Sequence, residues 1–526
     1  MDVLPVGRRA VLLACADAAH ARLLHDEVRR RIDAGTLTAP DDLVPAACTV
    51  LVDGVDDPFG WARPLLDWHS PGPADSSAGT EVDVPVEVPV VYDGPDLAFV
   101  ARRGGIDPGA VGRRHAGLEH TVAFCGFSPG FAYVAGLPDE LEVPRHTTPR
   151  ERVPAGSVAL ADAWTGVYPS ASPGGWQLIG RTDVLLFDPE RDPPGLLTPG
   201  ARVRFVPVEQ LASRPEVRAP APAPAVDTGR SLTVVRAGLL TTVQDRGRAG
   251  HAALAVPRSG ALDAPAAARA NRLVGNALDA AVLETTAAGC SVQINRDAWL
   301  AVSGAPATLT VAGRPVAMES PLRVHAGEHV DIGAPTGGLR CYLAVDGGLA
   351  VAPVLGSRST DVLSGLGPAT LVDGQRLPLG EPHAPAPVDI APVAPIPADE
   401  LVLHLDPGPR LSWLSAAARR RLVTDRWEVS PASNRIGLRL TGPELERDGA
   451  HPGELASEGT VVGAVQVPAD GQPLVFLADH PTTVGYPVVA VVAPADLPRC
   501  AQLRPGAAVR FAWSVGGGSS RRLLTT

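Results

Sequence analysis

The stretch 120–188 constrains the fold more than any other part of the chain. It reads HTVAFCGFSPGFAYVAGLPDELEVPRHTTPRERVPAGSVALADAWTGVYPSASPGGWQLIGRTDVLLFD. Short apolar runs, Thr121–Phe124, Val158–Leu160 and Val184–Phe187, alternate with Gly and Pro. That pattern predicts short buried strands joined by tight turns. Ser128, Tyr133, Arg145, Arg150, Tyr168, Trp176 and Gln177 sit within this punctuation, where rigid turns hold side chains in place. On spacing alone the aromatic residues belong to the core of a turn-rich barrel.

At 526 residues the chain is too long for one core and must divide. Gly (55) and Pro (54) are frequent enough to favour β-rich domains. The alternating Ala/Pro stretch 212–230 cannot pack and marks the main boundary. A second Pro-rich stretch, 380–398, separates the last third, and 69–83 reads as a polar connector. Helices are expected over Asp17–Asp33, from Asp107-Pro108, from Asp263 to Gly275, and at about 411–423. Asn271 and Asn276 border the third of these as expected caps. LTPGARVRF (197–205), VHAGEHVDI (324–332) and LRPGAAVRF (503–511) share a pattern and read as closing strands of related barrels.

The net charge of −11 argues against nucleic acid and anionic membrane as partners. No lysine occurs, which excludes a P-loop lysine, a Schiff-base lysine and covalently attached biotin. The six cysteines are scattered without a C-x-x-C pair, so reduced thiols in a cytoplasmic protein are expected. No signal peptide and no apolar run of bilayer-spanning length is seen. His120, His146, His251 and His480 lack metal-ligand spacing, so no metal site is expected, and no G-x-S-x-G elbow is present.

GFSPGFAYVAGL, VPRHTTPRERVPAGSV, TGVYP and SPGGWQLIGRT resemble the signature of the B subunit of bacterial 5-oxoprolinase, shared with Kip-type kinase inhibitors and allophanate-hydrolase subunit 1 proteins. Trp164 stands where that family usually has Gln. Beyond the linker, TTVQDRGRAGH, VPRSGALD, ANRLVGN, LGSRSTD and DGQPLVFLAD resemble the C subunit of the same enzyme, with its Kip-type activator, allophanate-hydrolase subunit 2 and urea carboxylase relatives. Val484 replaces a usual Gly there. The resemblance implies a B–C fusion, mainly β, with linked cyclophilin-like barrels and a small N-terminal α/β module. Its expected parts are the module at 1–80, a B-like barrel at 81–211, a first C-like β domain at 231–380 and a second C-like barrel at 399–515.

Gln244, Asp245 and Arg246 occupy one polar turn, and Arg358 and Asp361 another. Asp479, Thr482 and Thr483 form a third polar cluster, with Tyr486 nearby. Local turn salt bridges, Asp245–Arg246 and Arg358–Asp361, are one reading of these pairs; a ligand cleft is the other. The resemblance implies ATP-dependent opening of 5-oxo-L-proline to L-glutamate, shared with a separate A-type subunit. Phosphoryl oxygens would then meet Arg145, Arg150, Arg246 or Arg358, and Asp245 or Asp361 would hold Mg²⁺ or polarise water. Tyr168, Gln177, Gln244, Asp479, Thr482 and Thr483 would line the substrate. The alternatives are a urea-amidolyase type carboxyltransferase served by a biotin carrier on another chain, and a regulator of a histidine kinase.

Overall fold

A computed structural model describes residues 1–68, 84–212, 229–382, 400–451 and 455–514. The expected connector at 69–83 and nearly all of the two Pro-rich stretches lie outside the described residues.

The N-terminal module is a four-stranded antiparallel sheet in the order Asp2–Val6, Ala10–Ala14, Thr49–Asp53, Asp42–Pro45. Strand alternation gives it two apolar faces. Val11, Leu13, Val50 and Val52 pack under the helix Ala18–Asp33, through Ala21, Leu24 and Val28. Asp17 caps that helix by accepting from the His20 N–H at 2.8 Å. The opposite face, with Leu12, Val44 and Leu51, packs on Val461, Ala464, Phe476, Val488 and Val491 of the last domain. The module is therefore a layer buried on both sides, and half of the core on its second face is supplied by the C-terminal third.

Two seven-stranded units follow the same path. The first comprises Val86–Val90, His120–Cys125, Ala132–Ala135, Ser157–Ala161, Trp164–Val167, Gln177–Arg181 and Arg202–Pro207. The second comprises Glu400–Pro407, Arg426–Val429, Gly437–Thr441, Ala464–Gln466, Leu474–Phe476, Val488–Val492 and Ala508–Trp513. With each set numbered one to seven along the chain, both have the spatial order 1-6-4-5-3-2-7. Strands seven and one pair in parallel in both, Val203 with Val86 and Val509 with Leu401. The second unit is a closed barrel. The first closes through Val91 and Arg181, which exchange backbone hydrogen bonds of 3.0 and 2.9 Å. LTPGARVRF and LRPGAAVRF are thus equivalent closing strands, as the shared pattern predicts.

VHAGEHVDI is not a third. Its strand His329–Pro335 lies between two antiparallel neighbours, Ser291–Ile294 and Ala307–Val311, in a six-stranded sheet. With a five-stranded sheet it encloses one core, including Leu283, Val292, Leu300, Val330 and Leu343, so residues 231–378 form a sandwich. The same short turn-and-strand phrase serves either architecture, because it encodes a turn and an alternation but no partner.

The helix Ala264–Leu273 lies on the five-stranded sheet, and Asp263 caps it as expected. Asn271 and Asn276 do not cap it. The Asn271 Nδ2 donates to Ala280 O at 2.7 Å, and the Asn276 Nδ2 donates to Val345 O at 2.8 Å, tying the helix end to the sheet. The helix expected at about 411–423 runs Ala416–Thr424 behind a Ser415 cap. A helix at Leu97–Gly104, unforeseen in the sequence, covers the first barrel.

Candidate functional site

In the first barrel the strand residues alternate between an aliphatic interior and an aromatic outer face. Phe124, Phe131, Tyr133, Tyr168 and Trp176 form that face, closed on one side by Ala47 of the N-terminal module. Phe124 stacks on Tyr133 at 4.2 Å, and Trp164 meets Phe124 edge-on at 5.5 Å. Tyr168 is buried there, and burial pushes its hydroxyl up to about 12. Phe127, at the rim, is exposed and holds φ at 67°, a costly conformation for a bulky residue.

The polar residues foreseen in this block have distinct fates. Arg150 is not free for a phosphoryl group. Its Nη2 donates to both Asp96 oxygens at 2.8 Å, and its Nη1 donates to Trp176 O at 3.2 Å. Gln177 is buried, and its Nε2 donates to Pro144 O at 2.9 Å. Arg145 remains half exposed, 3.5 Å from Asp162.

Beyond the linker, Asp245 joins two loops. Its Oδ1 accepts from the Gly247 N–H at 2.8 Å and from the Ser357 and Ser359 hydroxyls at 2.6 Å each. Its Oδ2 accepts from the Arg358 N–H at 2.6 Å. Neither expected local salt bridge forms. Arg246 is exposed and only 3.9 Å from Asp279, and the Arg358 Nε donates to Val351 O at 2.8 Å. Arg358 also lines a cavity of about 350 Å³ with Gly347, Gly348 and Glu381. With four donors on its carboxylate, Asp245 does not fit the role of holding Mg²⁺. Among the described residues no cluster of three or more His, Cys, Asp or Glu side chains is placed to hold a metal ion.

Asp361 accepts from the Leu363 N–H at 2.9 Å and from the Ser364 hydroxyl. Burial, and then the neighbouring Asp479 charge, raise it to about 6. Asp479 in turn accepts from the Val362 N–H at 3.1 Å, so the structure brings the second and third polar clusters together. Gln244 is fully buried and spans Thr242 Oγ1 and Thr360 O, each at 3.0 Å.

The residue at the centre of this junction was missed in the sequence. Arg435, wholly buried, donates to Asp479 at 2.9 and 3.0 Å, to Glu284 at 2.5 Å and to Gly260 O at 2.7 Å. Burial alone would raise the Glu284 carboxyl, but Arg435 and Arg340 hold it below its ordinary value. The only signal was an Arg inside SPASNRIGL, where an apolar residue would suit a strand start.

From Asp479 the chain runs through Thr482, buried, to Thr483, which reaches the first barrel. A Cβ on Gly126 would stand 2.1 Å from the Thr483 Oγ1, so any larger residue there would displace the Thr483 side chain. The Ser457 carbonyl accepts from the Ala47 N–H at 3.0 Å, and Ala47 packs on the aromatic face of the first barrel. The module and both barrels therefore meet at one place.

Residues 1–197 match the carboxyltransferase domain, subdomains C and D, and residues 254–513 match its subdomains A and B. The chain is 38% identical to the C subunit of 5-oxoprolinase from Escherichia coli K12 over 283 residues, 53% of this chain and 90% of that protein. It belongs to the carboxyltransferase-domain family of 5-oxoprolinase subunits. The B-like half is 53% identical to the B subunit of 5-oxoprolinase from Escherichia coli O157:H7 over 128 residues, 24% of this chain and 59% of that protein. Both halves occur together in the crystal structure of TTHA0988, which is 35% identical with a TM-score of 0.84, over 96% of this chain and 99% of that one. In family terms the chain is a B/C fusion, and Gly126–Thr483 is a contact of its B-like barrel with its C-like barrel. Among the described residues no helix is long and apolar enough to cross a membrane.

Proposed function

We propose that this chain is the B/C component of an ATP-dependent 5-oxoprolinase, acting with a separate A-type subunit to open 5-oxo-L-proline to L-glutamate. The observation that carries the reading is the docking of the two halves. The polar segment 479–483 of the C-like half ends against Gly126, beside the aromatic face of the B-like half. A lactam has an apolar ring and a polar amide, and such a meeting of surfaces suits both.

The five-membered lactam is a poor electrophile. Transfer of the ATP γ-phosphoryl group to its amide oxygen creates a leaving group. Water then adds to the carbon and the C–N bond breaks, the amine taking up a proton and leaving an acyl phosphate, and a second water releases phosphate to give L-glutamate. Of the foreseen guanidinium groups, the half-exposed Arg145 and the cavity-lining Arg358 are the ones assigned to anionic oxygens. Asp361, raised toward neutrality, suits proton transfer near pH 6, with Asp479 beside it. Thr482 and Thr483 supply hydroxyls, and Tyr168 an apolar wall. Arg150, Arg246, Gln177, Gln244 and Asp245 receive no contact with substrate in this reading.

The test is glutamate release from 5-oxoproline and ATP by this chain alone, by its isolated A-type partner and by the mixture. Turnover only in the mixture is expected. Sustained turnover by the single chain overturns the division of labour, and a silent mixture overturns the substrate.

A further inference from the structure

The matching paths of the two barrels make their residues comparable position by position. After strand one, each chain returns along strand six through the same two backbone bonds. Gly94 N donates to Ile179 O at 3.2 Å and Asp96 N to Leu178 O at 3.0 Å; Gly408 N donates to Val489 O at 3.1 Å and Arg410 N to Val488 O at 3.0 Å. The local sequences are Gly-Pro-Asp-Leu (94–97) and Gly-Pro-Arg-Leu (408–411). Asp96 and Arg410 are thus equivalent.

Each barrel also carries a two-stranded lip, made between strands three and four and between strands five and six. In the first it is Arg150–Val153 with Ser172–Gly174; in the second it is Glu458–Gly459 with Thr483–Val484. The first residue of each lip is Arg150 or Glu458. Arg150 grips Asp96, and Arg410 grips Glu458, with its Nε 3.1 Å from both carboxylate oxygens. The same ion pair occurs twice with its charges exchanged. A simple turn requirement would not preserve a bidentate pair through exchange of both partners; a requirement to clamp the lip would.

The second lip is the one that carries Thr483. Glu458 pairs with Val484, and Gly459 pairs with Thr483, so the Arg410–Glu458 clamp is one residue from the side chain that meets Gly126. We infer that Arg410 is a positioning residue: through Glu458 it holds the Thr483–Val484 lip of the C-like barrel against the 126–131 loop of the B-like barrel. The Asp96–Arg150 pair clamps the first lip, whose second strand leads into Trp176. Arg410 does not contact substrate in this arrangement. The use of the lip in turnover rests on the 5-oxoprolinase reading; its placement against the other barrel does not.

The experiment compares the full chain with Arg410→Gln, Glu458→Gln and the double reversal Arg410→Asp with Glu458→Arg, which copies the pairing of the first barrel. Hydrogen–deuterium exchange reads the lip at 482–485 and, separately, the loop at 126–131. The KM for 5-oxoproline is read in the mixture with the A-type partner. Each single variant should speed exchange in both segments and raise KM roughly tenfold, the scale of a misplaced binding group, with kcat less affected. The double reversal should return both readouts to within about twofold of the parent. Faster exchange confined to 482–485, or no recovery in the double reversal, overturns the clamp. Unchanged KM alongside faster exchange overturns its use in turnover. If the parent chain, mixed with its A-type partner, does not open 5-oxoproline, the substrate reading fails, while the exchange measurement still decides the clamp. Glu458→Gln, nearly isosteric, keeps the test available if Arg410→Gln misfolds.

Discussion

Arg435 and Asp479 face each other with two hydrogen bonds, 2.9 and 3.0 Å, and neither side chain reaches solvent. Arg435 lies two residues before the strand Gly437–Thr441 of the C-like barrel, yet its third donor reaches Glu284 on the five-stranded sheet of the sandwich. One guanidinium therefore ties two domains together by compensating a buried carboxylate in each.

Truncating that guanidinium should be severe. Arg435→Met leaves Asp479 buried without its ion-pair partner and Glu284 with Arg340 alone, 3.5 Å away, a loss of about 3–5 kcal/mol. A lower unfolding midpoint in denaturant is the check. Adding Glu284→Gln and Asp479→Asn to Arg435→Met should recover part of the loss, because the unpaired charges go with the arginine.

Asp361 should make stability depend on acidity in an unusual sense. Its carboxyl is raised from 3.8 to about 6, so the folded chain binds its proton more tightly than the unfolded chain. The stabilisation from this proton is complete below about pH 4 and is lost as pH rises through about 6. The difference in unfolding free energy, Asp361→Asn minus parent, should rise in favour of Asn by on the order of 2–3 kcal/mol across that window. It should then stay level. A difference that falls with pH would mean that Asp361 is held ionised in the fold.

Arg358→Lys should reduce ring opening far more than stability. Lysine keeps a charge at the cavity but loses the Nε–H that holds the side chain on Val351 O and the planar fork beyond it. A fall in kcat/KM of roughly a hundredfold, the scale of one lost oriented donor, is expected with little change in melting temperature. Equal loss of both would make Arg358 a structural residue.

Cutting the Ala/Pro stretch at about 218–226 should leave an associating pair of fragments. The N-terminal sheet buries Leu12, Val44 and Leu51 on Val461, Phe476 and Val488 across the cut, so separation exposes apolar surface on both pieces. Co-purification of the two fragments at micromolar concentration is the measurement. Fragments that remain apart would show that this face contributes little to their association.

Much of this protein was legible along the chain. Gly/Pro punctuation between apolar runs specified short strands at Thr121–Phe124 and Val158–Leu160, while Val184–Phe187 forms only a single bridge at Phe187, and Asp17, Asp107 and Asp263 marked helix starts, because caps and turns are local interactions. The phrase ending in Val-Arg-Phe marked the closing strand of both barrels. Partnership was not local. The pattern of VHAGEHVDI is the same whether its strand closes a barrel or lies inside a sandwich, and only the long-range ladder decided between them. The polar turns were legible as places, but of the two readings left open the local pair does not form: Asp245 binds the loop at 357–359 rather than its neighbour Arg246, and Arg150, foreseen as a ligand group, grips Asp96. Arg435 and Arg410 carried almost no sequence signal because their partners lie 151 and 48 residues away. A sequence specifies what each short segment tends to do; which buried charge finds which partner depends on the packing of domains that bring distant residues within hydrogen-bond reach, and the tertiary structure alone settled that.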